Sequence, residues 1–254
     1  VLLAVDIGNT QTVLGLFEGE ALDGHWRIST NASLTADEIL VKVTGLISLS
    51  GHEWADVDAV ILASVVPRLT DAWAEVTAHA CGREALIVGP GLKTGVPIRY
   101  DNPHEVGADR IVNAVAAYRT YGGPLVVVDF GTATTLDVVA ADGGYLGGAI
   151  APGVETSAEA LFSKAARLSK VDLEAPARVI GTNTRESVQA GLVLGEAAMV
   201  DGLVRRVWQE LGSETAVVAT GGLAPRMAPL CETITHVDVD LTLTGLRMIW
   251  EINS

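Results

Sequence analysis

The segment Val5-Asp6-Ile7-Gly8-Asn9-Thr10-Gln11-Thr12 returns as Val128-Asp129-Phe130-Gly131-Thr132-Ala133-Thr134-Thr135, so an Asp-x-Gly-x-x-x-Thr turn occurs twice, once at the start of each half. An apolar run enters each turn, residues 2–5 and 125–128, and a β-prone run leaves it, residues 13–17 and 136–139. Each copy therefore reads as a strand, a glycine turn and a returning strand. A repeat of this kind predicts two related lobes, each opening on the same hairpin.

The chemistry of such a turn is specific. Glycine at positions 8 and 131 permits positive φ and removes the side chain that would block a ligand. Backbone N–H groups, together with the side chains of Asn9, Thr10, Thr12, Thr132, Thr134 and Thr135, can then meet phosphate oxygens. Asp6 and Asp129 do the opposite job. A carboxylate beside a triphosphate is repelled unless a cation lies between them, so both read as metal-facing. An ordinary hairpin with glycine in its bend is the alternative for either copy alone; two copies in matching contexts favour a nucleotide-phosphate site.

With 254 residues, 49% of them hydrophobic, the chain can bury a core sufficient for one large domain or two small ones. The apolar stretches, such as residues 59–67, are of strand length, and the amino terminus has no basic-then-apolar leader, which predicts a cytoplasmic protein without a membrane span. A net charge of −14 argues against a nucleic-acid partner or an anionic membrane surface, but not against a phosphate ligand met by local donors and a cation. Cys81 and Cys231 have neither the spacing nor the histidine partners of a zinc site and read as packing residues. Neither a P-loop nor a Gly-x-Gly-x-x-Gly fingerprint is present.

Between the hairpins the periodicity predicts helices over 35–49, capped by Thr35 with Glu38 three residues on, and over 69–81, with strands at 59–66 and 85–88. Residues 101–123 begin as loop and become helix. In the second half a glycine-rich bend spans 143–153, with helices at 156–166 and 185–211, a strand at 216–219 and a last helix from Leu241. The Gly-Gly-Pro stop before the second hairpin marks the boundary, giving lobes 1–117 and 118–254. Three polar constellations remain. Gly107-Ala108-Asp109-Arg110 places a carboxylate and a guanidinium at a helix amino terminus, where Asp109 is either the cap or a functional acid. Gly181-Thr182-Asn183-Thr184 precedes the long helix, and capping accounts for Thr182 and Thr184. Thr220-Gly221-Gly222 follows a strand and either turns tightly or admits a nucleoside.

Taken together these segments resemble the type III pantothenate kinases. The likeness runs through residues 2–10, 107–114, 129–135, 147–153, 181–184, 220–222 and 241–246, and so covers essentially the whole chain. The Asp-x-Gly hairpin alone would indicate only the superfamily of actin, hexokinase, acetate kinase and the heat-shock chaperones. The resemblance implies an α/β fold of two duplicated ribonuclease H-like lobes, each a mixed sheet flanked by helices, with the active site in the cleft between them. It implies transfer of phosphate from ATP to pantothenate, the first step of coenzyme A biosynthesis. Asp6, Ile7, Gly8, Asn9, Thr10, Gln11, Thr12, Val13 and Thr132 would line the ATP, with Mg2+ near Asp6 and a monovalent cation, K+ or NH4+, on Asp129. Tyr100, Gly107, Ala108, Asp109, Arg110 and Thr184 would hold pantothenate, with Asp109 as general base. The resemblance also implies a homodimer. A transcriptional accessory protein on the same fold and a sugar or acetate kinase of the superfamily are the alternatives.

Overall fold

Both repeats fold as hairpins. In the computed structural model, which describes residues 1–165 and 170–254, β1 (Leu2–Ile7) turns back into β2 (Gln11–Glu18), and β3 (Ala21–Ser29) completes an antiparallel meander. Helix α1 (Ala36–Leu49) then leads to β4 (Ala59–Ser64), which lies parallel to β1, and α2 (Pro67–Ala80) leads to the short β5 (Leu86–Ile87), for a strand order β3-β2-β1-β4-β5. The predicted cap of α1 forms as a reciprocal box: the Thr35 N–H donates to Glu38 Oε2 at 2.9 Å and the Glu38 N–H to Thr35 Oγ1 at 3.3 Å. Ile39, Val43 and Ile47 of α1, with Leu69, Trp73 and Val76 of α2, bury one face of the sheet through Leu3, Val5, Ile7, Leu14 and Leu16. A 3-10 turn, Pro103–Glu105, precedes α3 (Ala108–Tyr121).

The second sheet repeats the first. Strands β6 (Leu125–Phe130), β7 (Ala133–Val139) and β8 (Tyr145–Pro152) form an antiparallel meander, and β9 (Ala216–Thr220) runs parallel to β6 with β10 (His236–Val237) beyond it, for the order β10-β9-β6-β7-β8. Helix α4 (Val154–Lys164) follows β8; its expected end at Ala166 lies outside the described residues. The helix expected over 185–211 is composite, with α5 (Thr184–Gln189), a π-helical turn (Ala190–Leu194) and α6 (Gly195–Leu211); a short α7 (Ala224–Met227) follows β9. Val193, Ala197, Val200 and Val204 pack on Val126, Val128, Phe130 and Leu136. Contrary to the expectation that every apolar stretch is strand-length, Thr184–Leu211 is long and apolar enough to cross a membrane. Its packing in this core, with the acids Glu196 and Asp201 buried along it, accounts for that composition.

Three strands were not expected, one of them the two-residue β10. Strand β3 is an edge strand whose residues, Gly24 apart, are exposed or half-buried, so it has no apolar run to read. In place of the glycine-rich bend stands β8, where Gly148 lies so close to β7 that a Cβ would collide with the Leu136 carbonyl.

The chain divides into two compact units, Val1–Ala116 with Asp240–Ser254, and Ala117–Val239. This differs from lobes of 1–117 and 118–254 at the carboxyl end. The C-terminal helix, Leu241–Asn253, buries Leu241, Leu243, Leu246 and Ile249, and Thr242 Oγ1 donates to Asn113 Oδ1 at 2.7 Å, which ties it to the first unit.

Candidate functional site

In the first unit Asp6 is the half-buried residue of an otherwise buried strand, and the turn beyond it presents Asn9, Thr10 and Gln11 to solvent. The Gly8 N–H closes the turn on the Gln11 carbonyl at 3.0 Å. Gly8 and Gly131 do not take the expected positive φ, which other glycines of the chain adopt. The constraint at Gly8 is space, since a Cβ would stand 2.9 Å from the Gln11 carbonyl. Ile7 is fully buried at 0% exposure and Thr12 nearly so at 2%, its hydroxyl 2.8 Å from that of Thr30. A side-chain contact from Thr12 to phosphate, expected from its spacing, is therefore corrected: the hydroxyl is turned into the protein.

In the second unit Asp129 holds the same half-buried place in β6, and the turn exposes Thr132. The Thr132 carbonyl is fixed from outside the hairpin, by the Thr156 hydroxyl at 2.6 Å and the Gly153 N–H at 3.0 Å. Thr134 is buried and donates to Glu196, while Thr135 donates to Asp137 Oδ2 at 3.1 Å, so these two hydroxyls, like that of Thr12, have partners within the protein. Gly221, at φ +90°, follows β9 and faces the Asp129 carboxylate so closely that a Cβ would collide with Oδ1. The 220–222 turn thus forms one wall beside Asp129.

Asp109 lies inside the first turn of α3, one residue past its start, and is not its cap. Its Oδ1 accepts the Arg110 N–H at 2.9 Å and rests where a Cβ on Gly107 would be, so glycine at 107 is what lets the carboxylate fold back over the helix amino terminus. Burial pushes the Asp109 carboxyl above its ordinary value, against the lowering effects of the Arg110 amide and of its buried guanidinium. Tyr100, preceding this segment, is 37% exposed.

Thr184 opens α5 and is exposed. The expected capping role belongs elsewhere: the Asn183 side chain accepts the Glu186 N–H at 2.9 Å, and Glu186 Oε2 accepts both the Thr182 N–H at 2.9 Å and the Thr182 hydroxyl at 3.1 Å. Thr184 instead lines a pocket of about 560 Å³ with Gly181, Asn183, Leu161, Val188 and Leu192, a volume suited to a small organic ligand. The π-helical turn contributes Gly191 and Leu192 to its wall, a local widening of the kind that recurs at functional sites.

A model of the type III pantothenate kinase family matches residues 2–206. The chain belongs to that family. A type III pantothenate kinase of Moorella thermoacetica is 49% identical over 254 residues, all of both chains. Among solved structures, a Campylobacter jejuni protein assigned to the Baf family of transcriptional activators superposes with a TM-score of 0.65 at 19% identity, over 99% of this chain and 98% of that one. The ROK hexokinase of Thermus thermophilus gives 0.53 at 13% identity, over 99% of each. At such identities the two structures speak for the fold alone, the two-lobed actin-like architecture that the hexokinase also has. Family membership at this identity makes the chain a kinase that phosphorylates pantothenate in coenzyme A biosynthesis, with ATP and a divalent metal as the class requires.

Among the described residues no group of three or more histidine, cysteine, aspartate or glutamate side chains could hold a metal ion by itself. Single half-buried carboxylates beside exposed turns, as at Asp6 and Asp129, instead fit cations shared with phosphate oxygens and water, the manner in which Mg2+ is bound in kinases. Glu196, buried and bonded to Thr134, is not singled out by the sequence motifs. It stands within the apolar pattern of the long helix, and an acid among core positions was the signal available.

Proposed function

We propose that Asp109 is the general base of the reaction, taking the proton of the pantothenate primary hydroxyl as that oxygen attacks the terminal phosphorus of ATP and the bond to the leaving ADP breaks. The observation that carries this reading is the seat of its carboxylate on Gly107, half-buried at a helix amino terminus and with a raised pKa. A base whose pKa lies closer to the working pH takes up a proton more effectively, while phosphoryl transfer otherwise rests on positioning and charge neutralisation.

The remaining roles follow the family likeness residue by residue. Asp6, Ile7, Gly8, Asn9, Thr10, Gln11, Thr12 and Val13 line the ATP, Ile7 and Thr12 through their backbone, and Thr132 adds a contact. Asp6 faces Mg2+ and Asp129 a monovalent cation, K+ or NH4+; when bound, these ions neutralise phosphate charge. Tyr100, Gly107, Ala108, Arg110 and Thr184 hold pantothenate; that Arg110 is the local counter-charge for its carboxylate rests on charge complementarity and not on the likeness. The working protein is a homodimer.

A coupled assay with ATP against pantothenate, acetate and hexoses tests the substrate, with turnover expected only on pantothenate. For the base, Asp109→Asn should retain ATP binding by calorimetry and lose about 100-fold or more in turnover. It should not lower the melting temperature. A carboxyl whose folded pKa is raised contributes stability only at low pH and loses it as pH rises through the folded value, so at neutral pH the neutral amide relieves a cost. Near-normal turnover in this variant would remove Asp109 from the role.

A further inference from the structure

Glu196 is 7% exposed, on the first turn of α6 directly after the π-helical turn, with the core residues Val193 and Ala197 on either side. Among the described residues its side chain has one hydrogen-bonding partner, the Thr134 hydroxyl, and no basic group paired with it. Burial raises its pKa, and the Thr134 bond opposes that rise. A carboxyl in such surroundings costs stability that an apolar residue would not.

Its placement gives the carboxyl a task. Thr134 pairs with Phe130 in the last rung of the β6–β7 ladder, so it fixes the downstream end of the turn formed by Gly131, Thr132 and Ala133. The Thr132 carbonyl is held separately by Thr156 and Gly153. Thr134 is 1% exposed and could not be held by solvent.

We infer that Glu196 is a positioning residue for the nucleotide: through Thr134 it sets the geometry of the Thr132 turn without touching ATP itself. This rests on the reading that Thr132 contacts ATP. Glu196 acts as a hydrogen-bond acceptor, so a carboxamide, which keeps a carbonyl oxygen at the same place, replaces it, and a methyl group does not.

Steady-state kinetics and melting curves on the full chain separate this from a structural role. Glu196→Ala and Thr134→Val should each raise the KM for ATP about tenfold, the equivalent of one buried hydrogen bond, and leave the KM for pantothenate within about twofold. Glu196→Gln and Thr134→Ser should restore the KM for ATP to within about threefold of the parent. The double variant Glu196→Ala, Thr134→Val should be no worse than either single change, because both remove one interaction. The assignment is overturned by a folded Glu196→Ala enzyme with the parental KM for ATP, by a Gln variant as impaired as the Ala variant, or by additive losses in the double variant. Should Glu196→Ala fail to fold, the contrast between Thr134→Val and Thr134→Ser decides: equal KM values for ATP in those two sink the proposal. Absence of turnover by the unaltered chain would strike instead at the functional reading beneath it.

Discussion

The two hairpins share a frame and differ in what supports them. Strand order, parallel and antiparallel pairings, and the burial pattern of the entering strand are the same in both units, down to the single half-buried aspartate. The turns are not the same length. Ile7 pairs with Thr12 across Gly8, Asn9, Thr10 and Gln11, whereas Phe130 pairs with Thr134 across Gly131, Thr132 and Ala133. Although the sequence repeat aligns Thr12 with Thr135, the folded register therefore matches Thr12 with Thr134. Those two threonines are buried alike, at 2% and 1%, and bonded differently, one to the hydroxyl of Thr30 and the other to the carboxyl of Glu196. The two units share the backbone scaffold and differ in the turn and in the group behind it.

The largest effect should distinguish the two aspartates. If the first hairpin carries the metal of the nucleotide, Asp6→Asn should lower kcat/KM by about 100-fold or more, with the loss partly recovered by excess Mg2+. If the second carries a monovalent ion, Asp129→Asn should lower activity about tenfold in K+ and abolish the difference between K+ and Na+ buffers. Retention of K+ stimulation in Asp129→Asn, or its loss in Asp6→Asn, would break the division of labour.

Gly221 sharpens the same comparison within the second unit. Alanine there would need both a left-handed backbone and the space filled by Asp129 Oδ1. Gly221→Ala should lose about 1–2 kcal/mol of stability from the backbone alone. It should also weaken K+ dependence, because the carboxylate must move. Normal K+ dependence in a destabilised variant would leave Gly221 as a turn residue only.

What was legible in the sequence follows from the physics of each element. The hairpins, the box of Thr35 and Glu38, and the helices of the first unit announce themselves because local chemistry decides them. The glycines of β8 read as a bend because their reason lies on another strand, under the Leu136 carbonyl. The return of the C-terminal helix to the first unit is a tertiary choice that no local pattern encodes. At the site, Asp109 is legible as a carboxylate at a helix start, but its seat on Gly107 is set by a side-chain fold-back that residue spacing does not encode. The inward turn of Thr12 and Thr134 was hidden by the one-residue difference between the turns, and Glu196 by the apolar helix around it.

The smallest effect is the cleanest test of the differing supports. Thr12→Val removes a hydrogen bond between two neutral hydroxyls and should cost about 1 kcal/mol, measured by denaturant unfolding, with the same value at every pH. The bond in the second unit has an ionisable acceptor. Because the folded pKa of Glu196 is raised above 4.5, the unaltered protein is favoured at low pH and loses that contribution as pH rises through the folded value, whereas Glu196→Gln does not titrate there. The stability difference between Glu196→Gln and the parent should thus shift in favour of the glutamine variant as pH is raised from about 4.5 toward neutrality. The Thr12→Val difference should stay flat over the same range. A flat profile for both would mean that the carboxyl behind Thr134 titrates as it does in the unfolded chain, and that the two supports differ in shape but not in charge.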